Sequence, residues 1–173
     1  REQFPNVKYD EYVGLKNSMN NTDQVGYQLF VNHETLKYDS KTVADVNIVP
    51  SSFEMVDIDG LSFDKGRFYN ESGSNSGTAV IVLGYDIAEG LFGSSDPLGK
   101  NIRLYGQRFT VIGVMAKQGA GFFGDSNDTS VYLPANFLRR MYGDSDSMTP
   151  VIVLKPVKGV YMDAYKAEIA QKL

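Results

Sequence analysis

The sequence predicts an α+β fold, because strand-like and helix-like segments alternate along it without a regular repeat. Apolar residues recur at every second position in some stretches, such as Val25–Val31, and at every third or fourth position in others, such as Tyr9–Met19. These segments do not follow the strand–helix–strand rhythm of a parallel α/β protein. A chain of 173 residues is long enough for one sizeable core or for two small lobes.

The first third of the chain contains one predicted helix and two predicted strands. The helix covers Tyr9–Met19, and the first strand, Val25–Val31, shows an alternating apolar pattern. A second alternating stretch, Ala44–Ile48, is expected to end at Pro50. The polar, glycine-rich stretch Asn70–Thr78 is predicted to be a flexible excursion or a boundary between lobes.

The middle of the chain contains the most apolar segment. Ala79–Leu83 is almost continuously apolar, which is typical of a strand buried on both faces. A short helix is predicted after Gly84, with Asp86 in its first turn, where an acidic group complements the helix dipole. Gly93 is expected to end this helix in a left-handed conformation. The inward-facing residues of the helix are Ile87, Leu91 and Phe92.

The last third contains a predicted hairpin, two strands and two helices. The hairpin joins Ile102–Tyr105 to Phe109–Met115 around Gly106-Gln107. The strand Ser130–Leu133 runs into Pro134, which suits the first position of a helix. This helix has Phe137, Leu138 and Met141 on its apolar face and ends at Gly143. The last predicted elements are a strand, Val151–Leu154, and a helix with one apolar face, Tyr161, Tyr165, Ile169 and Leu173.

Composition and charge exclude several classes of function. Hydrophobic residues make up 42% and charged residues 22%, which argues against disorder. The net charge is −4 and the densest basic cluster is the pair Arg139-Arg140, so we predict no binding of nucleic acid. The absence of cysteine excludes disulfides, thiolate metal sites and a cysteine nucleophile. His33, the single histidine, lies in the polar stretch Asn32–Thr35, predicted to be a turn without a catalytic partner.

Two glycine motifs resemble nucleotide-binding loops but lack their essential features. Gly119–Gly124 has the G-x-G-x-x-G spacing, yet the acidic loop Asp125–Asp128 follows it instead of a helix. Gly93–Asn101 has one residue too many between its glycines, and Asn101 stands where a phosphate-binding loop needs a hydroxyl. We therefore predict no cofactor.

Loop carboxylates do not form a recognisable metal or catalytic site. None of them has the spacing of a calcium-binding loop, and no pair indicates acid–base catalysis. We predict that they are solvated loop residues and that the domain has neither a metal site nor catalytic residues. They are Asp125, Asp128, Asp144 and Asp146.

The ends of the sequence are those expected of a domain excised from a longer protein. The sequence begins at Arg1 without a signal peptide pattern, and its last predicted helix reaches Leu173. No apolar run is long enough to cross a bilayer. We expect the chain to continue beyond Leu173 into a transmembrane helix.

An ordered series of short motifs carries a family resemblance. In order, these are Gly66-Arg67-Phe68, Val80–Gly84, Leu91-Phe92-Gly93, Asp96–Lys100, Phe109–Val114, the loop Gly119–Gly124, and Val131–Pro134. The series resembles the periplasmic core domain of MacB-like and FtsX-like ABC transporter permeases. The motifs indicate structural rather than catalytic roles. Asp96–Gly99 is predicted to form a turn, and Gly113 is predicted to lie at a bulge or at a close approach of two backbone segments.

The resemblance implies a two-lobed architecture. A discontinuous, membrane-proximal α/β lobe would comprise residues 1–72 and 145–173. A mixed, β-rich lobe, residues 73–144, would be inserted into it.

The resemblance also implies a transport function in the bacterial inner membrane, with this domain in the periplasm. ATP hydrolysis in a cytoplasmic ATPase would move the domain through the protein's own transmembrane helices, for export or lipoprotein release. The full transporter would be a homodimer, and the isolated domain a monomer. Periplasmic adaptors or lipoproteins are the expected protein partners. The domain itself would not be an enzyme.

One loop is a candidate for partner contact. Phe122 and Phe123 are adjacent aromatic residues in the glycine-rich loop Gly119–Asp128. They are predicted either to contact a partner or to fold back onto the core. Two other functions remain open from the residues alone: an extracytoplasmic sensor domain of a receptor, and, third, a hydrolase.

Overall fold

The described structure is built on one mixed sheet of ten strands, flanked by five helices. A computed structural model describes residues 2–18, 24–119, 126–143 and 148–155. The strands are β1 (Glu2–Pro5), β2 (Gln24–Phe30), β3 (Glu34–Tyr38), β4 (Lys41–Ser51), β5 (Phe63–Gly66), β6 (Val80–Leu83), β7 (Asn101–Leu104), β8 (Gln107–Met115), β9 (Ser130–Pro134) and β10 (Thr149–Lys155). The helices are α1 (Tyr9–Ser18), α2 (Met55–Ile58), α3 (Glu71–Ser76), α4 (Tyr85–Phe92) and α5 (Ala135–Tyr142). The predicted α+β class is confirmed.

The strand order brings distant parts of the sequence together. It runs β1-β10-β2-β4-β3-β7-β8-β6-β9, with β5 paired to β8 and a further pairing between β4 and β9. Two pairs are parallel, β4 with β9 and β6 with β8, and the others are antiparallel. The predicted boundary between residues 72 and 73 lies within α3, and the division into two lobes stays a prediction.

Hydrophobic residues pack on both faces of the central strands. On β6, Ile81 and Leu83 belong to one core cluster and Val82 to the other. The larger cluster includes apolar residues of α1, α4 and α5, whereas the smaller one includes Met55 and Ile58 of α2. The predicted strand buried on both faces is thus confirmed.

The strand predicted at Val25–Val31 is confirmed as β2, but both of its faces are buried. Val25, Tyr27 and Leu29 pack in the larger cluster, while Gly26 and Gln28 of the opposite face are also buried. A Cβ atom on Gly26 would lie 2.7 Å from the sulfur of Met55. The missing side chain therefore lets α2 pack directly on this strand.

Three other sequence predictions are corrected by the structure. Asn70–Thr78 is not a flexible excursion, because Asn70 caps α3 by accepting a hydrogen bond from the Gly73 amide at 2.9 Å. Pro50 does not end its strand but lies inside β4, opposite Leu133 of β9. The β7–β8 hairpin turns at Tyr105-Gly106, one residue earlier than predicted, and both residues have positive φ.

The remaining predicted elements are mostly confirmed. The helix after Gly84 ends at Gly93 as predicted, but the φ of 58° and ψ of −122° of this glycine differ from the predicted left-handed helical conformation. The turn Asp96–Gly99 forms, with the Asp96 carboxylate accepting from the Leu98 amide at 3.1 Å. Met141, predicted on the apolar face of α5, is 38% exposed. The predicted closing helix, Tyr161–Leu173, lies outside the described residues. No helix in the described part of the chain is long and apolar enough to cross a bilayer.

Candidate functional site

The loop predicted to contact a partner is described at its two ends only. Phe122 and Phe123 lie outside the described residues, as do Asp125, Asp144 and Asp146. The ends of the loop are Gln118-Gly119 after β8 and Ser126–Asp128 before β9. Because β9 and the last three residues of β8 are buried in the main sheet, the geometry of these ends determines where the loop leaves the domain.

Asp128 holds the beginning of the loop. Its two carboxylate oxygens accept hydrogen bonds from the backbone amides of Gln118, at 2.7 Å, and of Gly119, at 2.8 Å. The residue is only 4% exposed, so the prediction of a solvated loop acid is wrong for Asp128. Hydrogen bonds to an ionised group contribute about 1.5–3 kcal/mol each. Asp128 therefore acts as a structural anchor.

Gln118 makes the reciprocal contacts with the end of the loop. Its Oε1 atom accepts a hydrogen bond from the Asn127 amide at 3.0 Å and from the Ser126 hydroxyl at 3.3 Å. Ser126 also caps the short 3-10 helix Asn127–Thr129 by accepting from the Asp128 amide at 3.0 Å. We call Gln118, Gly119, Ser126, Asn127 and Asp128 the loop clasp.

The loop clasp is attached to the sheet and to α4. The Ser130 hydroxyl donates to the Ser126 carbonyl at 2.8 Å and accepts from the side-chain amide of Asn47 at 3.0 Å. A Cβ atom on Gly84 would lie 2.2 Å from the Asn127 carbonyl oxygen, so only glycine permits this approach of the backbones. These contacts fix the clasp relative to β4 and β6.

An exposed ion pair lies where β8 leads into the clasp. The Lys117 ammonium donates a hydrogen bond to the Asp86 carboxylate at 2.8 Å and lies 5.3 Å from the centre of the Tyr85 ring. The hydrogen bond to Asp86 raises the pKa of Lys117. Because both side chains are about half exposed, this pair contributes little stability.

A polar cleft lies beside the loop clasp. Its volume is about 530 Å³. Its described lining residues are Gln28, Phe30, Val31, His33, Asn47, Ile48, Val49, Asp59, Gln118, Asn127, Ser130 and Tyr132. The cleft therefore combines the exposed end of β2, the middle of β4 and both ends of the loop.

The polar groups of the cleft are already engaged with one another. The Tyr132 hydroxyl donates to the Asp59 carboxylate at 2.7 Å. His33 lies in the β2–β3 connection, with its Nδ1 atom 3.0 Å from the Asp45 carboxylate. The predicted turn Asn32–Thr35 is confirmed only in its first half, because β3 begins at Glu34. Among the described residues, no three histidine or acidic side chains lie close enough together to hold a metal ion. The cleft thus combines paired polar groups with apolar side chains such as Phe30 and Val31.

The geometry of the Gly93–Asn101 motif differs from that of a nucleotide-binding loop. Lys100 is followed by β7, whose first residue, Asn101, accepts a hydrogen bond from the Thr110 hydroxyl at 2.9 Å. A phosphate-binding loop needs a helix at this position. In the other motif only Gly119 is described, with a φ of 81°.

Sequence reasoning missed Gln118 and Asp128. The only signal for Asp128 was the acidic run after a glycine-rich stretch, which is equally typical of a solvated loop. Nothing in the sequence distinguishes Gln118 from an ordinary surface glutamine. Their partners are backbone amides, and hydrogen bonds of this kind leave no residue pattern.

Two buried tyrosines, also not identified from the sequence, bind polar groups inside the domain. The Tyr69 hydroxyl donates to the Leu133 carbonyl at 3.0 Å and lies 2.6 Å from the Ser51 hydroxyl. Burial raises the pKa of Tyr69 well above its usual value. The Tyr12 hydroxyl lies 2.9 Å from both oxygens of the Glu54 carboxylate, which also pairs with Lys16 at 2.9 Å. Burial, followed by the Glu54 charge, raises the pKa of Tyr12.

Solved structures of two transporter domains share this fold. The periplasmic region of MacB from Actinobacillus actinomycetemcomitans superimposes with a TM-score of 0.77 at 18% identity, covering 97% of this chain and 73% of that one. The extracellular domain of the noncanonic ABC-type transporter YknZ from Gram-positive bacteria gives a TM-score of 0.72 at 25% identity, covering 98% and 81%.

Sequence relatives lie among export proteins. The macrolide export ATP-binding/permease protein MacB of Neisseria gonorrhoeae is 31% identical over 100 residues, which is 57% of this chain and 15% of that protein. The pyoverdine export ATP-binding/permease protein PvdT of Pseudomonas aeruginosa is 33% identical over 70 residues, covering 40% and 11%. The matched part of the chain thus spans about a seventh of these relatives or less.

The sequence profile of one family covers nearly the whole chain. It matches residues 2–172, and the family is described as the MacB-like periplasmic core domain. The match extends the resemblance seen between Gly66 and Pro134 to both ends of the sequence. The chain therefore belongs to the MacB-like periplasmic core domain family of ABC transporter permeases, and it is a periplasmic domain of an inner-membrane transporter.

Proposed function

We propose that this domain transmits ATP-driven movement from the membrane to partner proteins outside it, and that it has no catalytic site of its own. The continuous strand pairing supports this role. β4 pairs in parallel with β9 over five positions, from Asn47–Ser130 to Ser51–Pro134. A sheet joined in this way resists internal shear, so a displacement at one edge moves the other edge as well.

The rest of the transporter is inferred from the relatives. Both of the export proteins compared above are named as ATP-binding/permease proteins. We propose that the full protein contains transmembrane helices, acts with a cytoplasmic ATPase and forms a homodimer. Its work would be export or lipoprotein release.

The two-lobed division remains part of the proposal. β10, from the segment after residue 145, lies between β1 and β2 of the first segment. This pairing is expected if residues 1–72 and 145–173 form one lobe. Pairings of β3 with β7 and of β4 with β9 join that lobe to residues 73–144 within the same sheet.

The partner contact is proposed at the loop 119–124 and the adjacent cleft. The observation that supports it is the loop clasp, in which Asp128 and Gln118 bind the backbone at opposite ends of one loop. The clasp holds both ends of the loop, and fixing the ends of a binding segment in advance lowers the entropic cost of binding through it. A periplasmic adaptor or a lipoprotein is the proposed partner.

Spin labels on the full-length transporter test the proposed movement. This chain has no cysteine, so in a full-length transporter whose other cysteines have been replaced, an Asp96→Cys variant at an exposed turn carries a single label per subunit. We expect the distance between the two labels of a dimer to differ between the nucleotide-free and the ATP-bound states. An identical distance distribution in both states, in a transporter that hydrolyses ATP normally, would contradict the proposal.

A further inference from the structure

Three basic side chains form a row across the outer face of neighbouring strands. Lys37 of β3 is the direct cross-strand partner of Arg103 of β7, and Arg103 is the partner of Arg108 of β8. All three are exposed, whereas Ile102 and Leu104, which flank Arg103, are buried. The row therefore points away from the core. We call Lys37, Arg103 and Arg108 the basic row.

The basic row is unfavourable for the isolated domain. Directly opposite residues on neighbouring strands have Cβ atoms about 5 Å apart, and like charges at that distance destabilise a sheet. None of the three residues belongs to an ion pair within the described part of the chain. The chain as a whole carries a net charge of −4, so the local excess of positive charge at the basic row is opposite in sign to the net charge of the chain.

The basic row lines an open pocket in which positive charge dominates. The pocket has a volume of about 490 Å³, and its described lining residues add Asp39 and Asn101 to the three basic ones. The Asp39 carboxylate offsets one charge and leaves an excess of two. The Asn101 side-chain oxygen is occupied by the Thr110 hydroxyl. The charge of the lining therefore favours an anionic ligand.

The spacing of the charges indicates an extended ligand rather than a single ion. Neighbouring strands lie about 4.8 Å apart, so the row spans roughly 10 Å from Lys37 to Arg108. Acidic residues separated by three or four positions on a helix lie about 5–6 Å apart. Arginine also binds carboxylates through two parallel hydrogen bonds. We propose that the basic row binds an acidic helical segment of a partner protein.

This site is separate from the cleft described above. Among the described residues the two have no lining residue in common. The basic row lies on β3, β7 and β8, whereas the cleft is built on β2, β4 and β9. The inference consequently does not depend on the proposed partner contact of the loop 119–124.

A peptide titration followed by NMR tests the inference. The probe is a helical peptide with glutamate at every fourth position, and its control has glutamine at the same positions. We expect the glutamate peptide alone to shift the amide signals of Lys37, Arg103 and Arg108. An Arg103→Gln variant is expected to bind the peptide about fivefold more weakly, because it loses roughly one exposed contact between opposite charges.

Matched variants separate the basic row from general charge effects. Lys37→Gln and Lys65→Gln remove the same charge from exposed strand positions inside and outside the row. Lys37→Gln is expected to weaken binding and Lys65→Gln to leave it unchanged. Arg103→Gln is expected to keep or raise the melting temperature, because it removes a like-charge contact.

Several results would overturn the inference. The first is that Lys37→Gln and Lys65→Gln weaken binding of the glutamate peptide equally. The second is that the domain binds the glutamine peptide as well. A third is inorganic phosphate or anionic vesicles shifting the same signals at lower concentration than the peptide, which would indicate an ion or membrane site. A fourth is self-association through the row, seen by analytical ultracentrifugation and lost in Arg103→Gln, which would identify a second copy as the ligand.

Discussion

Gln118 and Asp128 lie at opposite ends of one loop, and the side chain of each accepts a hydrogen bond from a backbone amide at the opposite end. Asp128 accepts from the Gln118 amide at 2.7 Å, and the Gln118 side chain accepts from the Asn127 amide at 3.0 Å. Each side chain therefore satisfies backbone groups that would otherwise have to remain in contact with water. The arrangement joins the two described ends of the loop to each other.

Replacing Asp128 by alanine is expected to open the loop clasp. The amides of Gln118 and Gly119 lose a charged acceptor inside a nearly buried site, which predicts a loss of about 2–4 kcal/mol in the free energy of unfolding. Urea denaturation measures this loss, and hydrogen exchange should accelerate first at those two amides. A matched control is Asp96→Ala, which removes an exposed carboxylate with one amide partner. Equal losses from both variants would contradict a special role for Asp128.

Replacing Phe122 and Phe123 together by serine is expected to impair transport by the full-length protein. The melting temperature of the domain should stay nearly unchanged, because partner-contact residues contribute to binding rather than to the core. Transport assays and thermal unfolding of the same variant check both halves of this prediction. A large fall in melting temperature would instead identify the two phenylalanines as core residues.

Replacing Gly113 by alanine is expected to destabilise the domain, because a Cβ atom there would lie 2.3 Å from the Arg67 carbonyl oxygen. The forced shift of the β5–β8 contact should cost about 1–3 kcal/mol. Gly14 in α1 has open space around it, so Gly14→Ala should instead stabilise the domain by up to about 1 kcal/mol through helix propensity. Denaturant unfolding of the two variants should show opposite signs, and equal signs would contradict the packing argument.

Glu54 is expected to couple energetically to Tyr12. Glu54→Ala removes the hydrogen-bond acceptor of the buried Tyr12 hydroxyl and the ion-pair partner of the partly exposed Lys16. We therefore expect the free energy of unfolding to fall by about 2–3 kcal/mol. Tyr12→Phe in the same background should restore part of the stability, because the unpaired hydroxyl is then gone. A double-mutant cycle in urea measures the coupling. If the effects of the two substitutions on the free energy of unfolding were strictly additive, the hydrogen bond between Tyr12 and Glu54 would be contradicted.

The raised pKa values of Tyr12 and Tyr69 predict a loss of stability at alkaline pH. An unfolded tyrosine ionises near pH 10, while the folded domain keeps both hydroxyls protonated beyond that value. The folded state then binds more protons, so the free energy of unfolding must fall as pH rises above about 10. Unfolding curves between pH 8 and 11.5 measure the slope. Tyr12→Phe should make the slope shallower, and an unchanged slope would exclude Tyr12 as a source.

The elements predicted correctly are those whose pattern comes from burial within a single segment. Ala79–Leu83 is apolar at every position because β6 lies between two packed faces. The turn Asp96–Gly99 and the helix end at Gly93 depend on local backbone preferences, which residue types reveal directly.

The elements that sequence reasoning missed depend on distant partners. Pro50 stays within β4 because the strand's parallel partner, β9, supplies the pairing up to Ser51. α3 is rich in serine and glycine, and contacts of α5 stabilise it: Arg140 donates to the carbonyls of Ser76 and Gly77. The candidate cleft combines residues of β2, β4 and β9 that are separated by about a hundred positions, so no sequence window contains it.

The pairing of β1 with β10 determines when the domain can finish folding. Glu2 stands opposite Leu154, so this strand pair closes a loop that contains almost the whole described chain. Closing a loop of this length costs about 4 kcal/mol of chain entropy unless the intervening segments are already compact. β10 pairs with β1 and β2 alone within the sheet, whereas β2 also pairs with β4. A ribosome must therefore release nearly the entire described chain before the edge formed by β1 and β10 can be complete.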